Sequence, residues 1–298
     1  MSAPRFGRLL TAMVTPFSPD GSIDYDVASK LAQFLVAEGS EGLVVAGSTG
    51  EGASLTDDEK LNLFECVAEA VTVPVLAGST FANTAASIAL TKRVKATGVA
   101  GVLATTPAYV RPNQTGIAGH LGAIADSTPL EVMIYDIPAR TGRKIASSTT
   151  INLVRNHPNI TALKDASGDL TSAAHTKSML GDALTIYSGD DAMTLPFMAI
   201  GAVGVVSVAA HWAGPEVAGM AHAAARGDWE TARQLHERAA ASFAFMNTEE
   251  YPNPMPSKAA LRVLGFNVGE CRLPNGPSEI ELDIAAAEIV SSLKSARG

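Results

Sequence analysis

Cysteine is scarce. Cys66 and Cys271 are the only two in 298 residues, lie far apart, and form neither a metal-binding nor a redox spacing. Such usage suits a reducing compartment, so a cytoplasmic protein is expected. The six histidines (120, 157, 175, 211, 222 and 236) show no ligand spacing such as His-Glu-x-x-His, and no Gly-x-Ser-x-Gly turn occurs. Neither a metal centre nor a serine hydrolase is predicted. No Lys/Arg cluster relieves the net charge of −8, which excludes a polyanion-binding surface and with it nucleic acid as a partner. No export signal is expected, because Arg5, Gly7 and Arg8 lead directly into a short apolar run. Formal charge is also absent from 192–215, a stretch long enough to suggest a membrane span. Pro196, Gly201 and Gly204 interrupt it, however, and 203–208 is rich in β-branched residues. It is expected to be the seventh helix and eighth strand of a repeat, not a membrane partner.

What is present is a repeat. With 47% hydrophobic residues the chain can bury a large core. Eight apolar runs lie at 9–17, 42–46, 73–77, 101–105, 132–137, 160–164, 184–188 and 203–209. They are near-continuous Val, Ile, Leu and Ala, as in parallel strands covered on both faces. Helix signals fall between them. Thr56-Asp57-Asp58-Glu59 is a capping box ahead of Leu61, Phe64 and Val67, and Asp169 caps a helix that begins after Gly168. Cys66 reads as a core position of the second helix. A doubly wound sheet would carry a Gly-rich fingerprint after its first strand, where this chain has Thr15-Pro16-Phe17. The expected fold is therefore a (β/α)8 barrel over 1–225. Residues 226–298 read as a helical appendage, with one helix opened by 229–236 and another at 257–265, the second ended by its glycine. Between them, Tyr251-Pro252-Asn253-Pro254-Met255-Pro256 reads as a stiff, non-helical connector.

In such a barrel the chemistry sits at the C-terminal ends of the strands. Those ends carry Thr15-Pro16; Gly47-Ser48-Thr49-Gly50-Glu51-Gly52; Thr105-Thr106-Pro107-Ala108-Tyr109; Tyr135 through Gly142, including Arg140; Lys164-Asp165-Ala166-Ser167-Gly168-Asp169; and Ser188-Gly189-Asp190-Asp191. Lys164 ends the apolar run Ile160-Thr161-Ala162-Leu163, where a solvated lysine has no obvious place. A desolvated amine has a lowered pKa and can attack a carbonyl to form a Schiff base. A tyrosine can move protons, a Gly-Ser-Thr-Gly turn can offer backbone N–H groups to a carboxylate, and an arginine can hold a second carboxylate bidentately. Each element also has a plainer reading. Lys164 can snorkel, the glycine-rich stretch can be only a tight turn, Tyr135 can be a core tyrosine, and Arg140 can be structural. That turn also lacks the lysine of a P-loop, so no nucleotide and no other cofactor is expected. Asp190-Asp191 resembles a metal pair but more naturally caps the seventh helix.

Taken together, Gly47-Ser48-Thr49-Gly50-Glu51, Tyr135-Asp136-Ile137-Pro138-Ala139-Arg140-Thr141-Gly142 and Lys164-Asp165-Ala166-Ser167-Gly168-Asp169 resemble the dihydrodipicolinate synthase / N-acetylneuraminate lyase family. The resemblance spans essentially the whole chain and implies a Schiff-base lyase of the class I aldolase type that uses pyruvate. Lys164 matches the imine-forming lysine and Tyr135 the proton-relaying tyrosine. Tyr135 would work with the Ser48 hydroxyl and with Tyr109, which in this family reaches across a subunit interface. Ser48 and Thr49 match the pyruvate-carboxylate binders, and Gly189 and Val206 match positions whose backbone carbonyls line the site. A homotetramer or homodimer is implied.

Within the family, Arg140 matches the arginine that binds the carboxylate of aspartate semialdehyde in the synthases, and the segments around Tyr109 and Asn253 also look more like theirs. Ser48 stands where the synthases more often have threonine, a form associated with sialic acid lyases and sugar-acid aldolases. An anionic semialdehyde needs a cation and a polyol does not, so Arg140 decides the expectation. Pyruvate and L-aspartate 4-semialdehyde would condense to 4-hydroxy-tetrahydrodipicolinate. A sugar-acid aldolase is the alternative, and a catalytically silent barrel a more remote one. Feedback by lysine is expected to be weak or absent. In the lysine-regulated bacterial synthases, histidines occupy the positions of Asp57 and Lys60, and an aromatic precedes the trans tyrosine where this chain has Ala108.

Overall fold

Every one of the eight apolar runs carries a strand. In the computed structural model, which describes residues 4–297, all eight pair in parallel into one closed barrel in chain order. They are β1 Leu9–Ala12, β2 Gly42–Val45, β3 Val75–Gly78, β4 Gly101–Thr105, β5 Glu131–Asp136, β6 Ile160–Asp165, β7 Thr185–Ser188 and β8 Gly204–Ser207. The helices are α1 Tyr25–Ala37, α2 Asp57–Ala70, α3 Thr84–Val94, α4 Gln114–Asp126, α5 Pro138–Thr141, α6 Ser147–Asn156, α7 Leu170–Leu180, α8 Thr194–Ala199, α9 Ala210–Ala225, α10 Trp229–Phe245, α11 Met255–Val263 and α12 Ile280–Arg297. The uncharged stretch at 192–215 is thus α8, β8 and the start of α9. No helix among the described residues is long and apolar enough to cross a membrane.

Local signals explain the element boundaries. The capping box forms at α2, with Thr56 Oγ1 accepting from Glu59 N–H and the Glu59 carboxylate accepting from Thr56 N–H. Asp169 caps α7 by accepting from Ser172 N–H. Along the strands, period-two alternation divides two cores. Leu10, Val44, Leu76, Leu103, Met133 and Ala162 point into the barrel. Leu43, Val75, Val102, Val132 and Leu163 point outward into the layer shared with the helices. The last helices share a third core with the outer face of β1 and β8, in which Leu9 and Val205 pack with Phe243, Ala259, Ala260 and Ala286.

The structure departs from the sequence reading in four places. The first strand stops at Ala12, not Phe17, although 13–17 is buried. Met13 N–H still bonds Val44 O, but Phe17 N–H turns to Val268 O at 3.0 Å, so this stretch leaves the sheet to meet the segment between α11 and α12. Cys66 lies on α2 but is only half-buried, with Sγ 3.3 Å from Tyr25 O on the flank facing α1. The connector is shorter than expected, because α11 already begins at Met255. Proline is tolerated in a first helical turn, where its missing N–H has no intrahelical partner. Finally, Asp191 does not cap the following helix. Its carboxylate accepts from Ser207 Oγ and from Val208 N–H at 2.9 Å, tying the end of β7 to the end of β8.

Candidate active site

Alternation along β5 and β6 brings Tyr135 and Lys164 to the same interior. Tyr135 follows Met133, Lys164 follows Ala162, and the two are register partners. Lys164 is 4% exposed, and its Nζ lies 4.2 Å from the centre of the Tyr135 ring. Burial lowers the pKa of this amine from 10.5 to about 7; Asp191 opposes that shift, and the Arg140 charge adds to it. Near neutral pH a large share of Lys164 is therefore an unprotonated nucleophile. Burial also raises the Tyr135 phenol above its ordinary value, so it holds its proton.

The neighbouring residues on the outward face hold the loops. Burial pushes the Asp136 carboxyl up to about 7, and it accepts from Ile145 N–H at 3.1 Å, closing the 138–145 segment that carries Arg140. Asp165 accepts from Ser167 N–H at 2.8 Å and Oγ at 2.7 Å, folding the turn after Lys164. Gly189 N–H donates to Asp165 O at 2.7 Å. A Cβ at Gly189 would lie 2.8 Å from that of Ala166, so only glycine lets β7 end against this turn. Val206 is fully buried in β8 and faces the interior.

The Gly47–Gly50 turn is bracketed by left-handed residues, Ala46 and Glu51, both at φ +52°. Its backbone folds tightly on itself, and a Cβ at Gly52 would stand 2.0 Å from Ala46 O. Thr15 Oγ1 donates to Gly50 O at 2.6 Å. The Glu51 side chain forms a buried ion pair with Lys258 Nζ at 2.8 Å, and its other oxygen accepts from Arg272 N–H. Ser48 is exposed at the surface of this turn, whereas Thr49 is buried. Thr49 Oγ1 accepts from Asn253 Nδ2 at 2.8 Å. Arg140 reaches the same residue, donating from Nη2 to Asn253 O at 3.1 Å.

Lys164, Tyr135, Gly189 and Val206 thus come together from β5 to β8, with Thr49 and Arg140 joined through Asn253. Tyr109 is not brought in by this chain. It sits at φ +69° with its ring 95% exposed, beside exposed Val110. Among the described residues no group of three or more His, Cys, Asp or Glu side chains is placed to hold a metal ion. The sequence reading missed the Glu51–Lys258 pair and the part played by Asn253. Both Glu51 and Asn253 lay in motifs already singled out, but nothing local reveals a partner 204 residues away.

The Dihydrodipicolinate synthetase family model matches residues 5–293. A 4-hydroxy-tetrahydrodipicolinate synthase 2 of Halalkalibacterium halodurans is 46% identical over 278 residues, covering 93% of this chain and 94% of that protein. Among solved structures, the enzyme of Cyanidioschyzon merolae with lysine bound superposes with a TM-score of 0.93 at 40% identity, covering 97% of this chain and 98% of that one. The dihydrodipicolinate synthase of Bacillus anthracis does so with a TM-score of 0.92 at 40% identity, covering 96% and 98%. The chain belongs to the dihydrodipicolinate synthetase family.

Proposed function

We propose that this enzyme condenses pyruvate with L-aspartate 4-semialdehyde to 4-hydroxy-tetrahydrodipicolinate through an imine on Lys164. The observation that carries the reading is a buried amine of lowered pKa against Tyr135 at the C-terminal rim of the barrel. Lys164 attacks the pyruvate ketone and water leaves, giving the imine. Loss of a methyl proton, relayed through Tyr135 and the Ser48 hydroxyl, gives the enamine. Its carbon attacks the semialdehyde, whose carboxylate Arg140 holds. The substrate amine then adds to the imine carbon, expels Lys164 and closes the ring. The Ser48/Thr49 turn receives the pyruvate carboxylate, and the carbonyls of Gly189 and Val206 line the site. Within the described residues, the barrel portion runs to 225 and the helical appendage begins at 226. A cytoplasmic setting goes with this reading, supported by two unpaired cysteines. Incubation of the protein and pyruvate with either aspartate semialdehyde or N-acetylmannosamine tests it. Turnover of the sugar and not of the semialdehyde identifies a sugar-acid aldolase, and turnover of neither a silent barrel.

The same reading has Tyr109 completing the relay of a neighbouring subunit within a homotetramer or homodimer. Its support is a tyrosine held in left-handed backbone with its ring outside its own chain. Activity should then fall on dilution in step with dissociation, followed by sedimentation. A monomer fully active at nanomolar concentration overturns this role.

Weak or absent inhibition by L-lysine is the second expectation here. Lys60 is 1% exposed, with Nζ 4.0 Å from the Phe81 ring centre. Burial lowers its pKa to about 8, against the pull of Asp57. A cation already stands on this aromatic face, and Ala108 offers no ring to line an effector pocket. Initial rates measured up to millimolar lysine test the point. Half-inhibition below about a millimolar, roughly −4 kcal/mol of binding, contradicts it.

A further inference from the structure

Asn253 touches both arms assigned above to substrate carboxylates. Its Nδ2 donates to Thr49 Oγ1 at 2.8 Å, and its backbone carbonyl accepts from Arg140 Nη2 at 3.1 Å. The residue is 8% exposed and is itself fixed. Its N–H donates to Asn247 Oδ1 at 3.0 Å, and its Oδ1 accepts from Ser257 Oγ at 3.5 Å. With a hydroxyl donor facing Oδ1, the amide NH2 faces Thr49. A threonine hydroxyl has one proton and two lone pairs. Asn253 fills a lone pair, so the proton is free to donate elsewhere. One turn further along α11, Lys258 pairs with Glu51 at 2.8 Å, with side-chain exposures of 1% and 0%, and also donates to Glu270 O. The turn bearing Ser48 and Thr49 is thereby anchored at two points to the helix that Asn253 precedes.

We propose that Asn253 is a positioning residue that aims the Thr49 hydroxyl proton at the keto-acid carboxylate and, by its carbonyl, holds the Arg140 fork over the same site. The C-terminal helices thus set the spacing between the two carboxylate positions. This inference rests on the pyruvate reading above.

The test measures the pyruvate concentration needed for half-maximal borohydride trapping on Lys164. Asn253→Ala removes the donor to Thr49 and keeps the carbonyl that holds Arg140. That concentration should rise roughly 5- to 20-fold, the effect of one lost hydrogen bond in a buried site. The rate at saturating pyruvate and the semialdehyde KM should each change by less than about threefold. In a Thr49→Val background the same substitution should add less than about twofold, because no hydroxyl remains to be oriented. Equal losses in both backgrounds, or parallel losses in every constant, reduce Asn253 to a structural buttress and overturn the proposal. Should Asn253→Ala fail to fold, the isosteric Asn253→Asp places an acceptor where the donor stood and turns the Thr49 proton inward. An unchanged pyruvate requirement in that variant overturns the proposal equally. If the unmutated protein forms no adduct, the pyruvate reading falls and takes this inference with it. Normal trapping with an unshifted variant defeats this inference alone.

Discussion

Lys164→Ala should yield a folded protein that forms no reducible adduct with pyruvate and loses on the order of 10³-fold or more in kcat, ~4 kcal/mol of barrier or more. No other group named in the site can take its place. Tyr135 holds its proton, and the Lys258 amine is engaged in a buried ion pair with Glu51, which leaves Lys164, its protonation disfavoured by burial, as the nucleophile of the site. The fold should survive, since truncation removes a charge that is costly to bury and so offsets the packing it loses. In the unmutated protein, borohydride with pyruvate should place one adduct on Lys164, located by peptide mass spectrometry. The pH dependence has a definite sign. The neutral amine is the nucleophile and its pKa is lowered to about 7, so imine formation should rise with pH through about 7 and level off above it. An ordinary lysine would still be gaining rate near pH 10. An adduct on another lysine, or none, defeats the mechanism.

This expectation could be reached from the sequence because its two essential features are local. Near-continuous apolar runs announce parallel strands covered on both faces, and alternation then sends Tyr135 and Lys164 inward with Met133 and Ala162. The capping box at Thr56 and the cap at Asp169 are also local, and both form as expected. What was not legible depends on where a side chain ends up. The apolar stretch 13–17 is buried, but hydropathy reports burial and not pairing, so it read as strand where the backbone had already turned toward Val268. Asp191 had the sequence position of a helix cap, yet three donors at the end of β8 compete for its carboxylate and win it. The Glu51–Lys258 pair and the two bonds of Asn253 link segments more than 100 residues apart, and no periodicity encodes them.

Arg140→Ala should cripple the second half-reaction and nearly spare the first. The arginine sits on α5, a single turn begun by Pro138 and closed by Thr141, whose return segment Asp136 ties down at Ile145. With Nη2 held by Asn253 O, its remaining donors can take a carboxylate as a fork. Losing such a bidentate charge pair costs on the order of 2–4 kcal/mol, or roughly 30- to 1000-fold in kcat/KM for the semialdehyde. Trapping of pyruvate should change by only about threefold, and for a different reason. The Arg140 charge helps to keep Lys164 deprotonated, so its removal raises the amine pKa and slows imine formation at pH 7. That loss should vanish when trapping is repeated at about pH 9, while the semialdehyde deficit persists, because a missing carboxylate partner is not restored by deprotonating a lysine. Arg140→Lys should fall between, keeping the charge without the fork. Equal losses for both substrates at both pH values make Arg140 a structural residue. An undiminished rate with the semialdehyde turns the assignment toward a sugar-acid aldolase, whose polyol substrate has no need of a cation there.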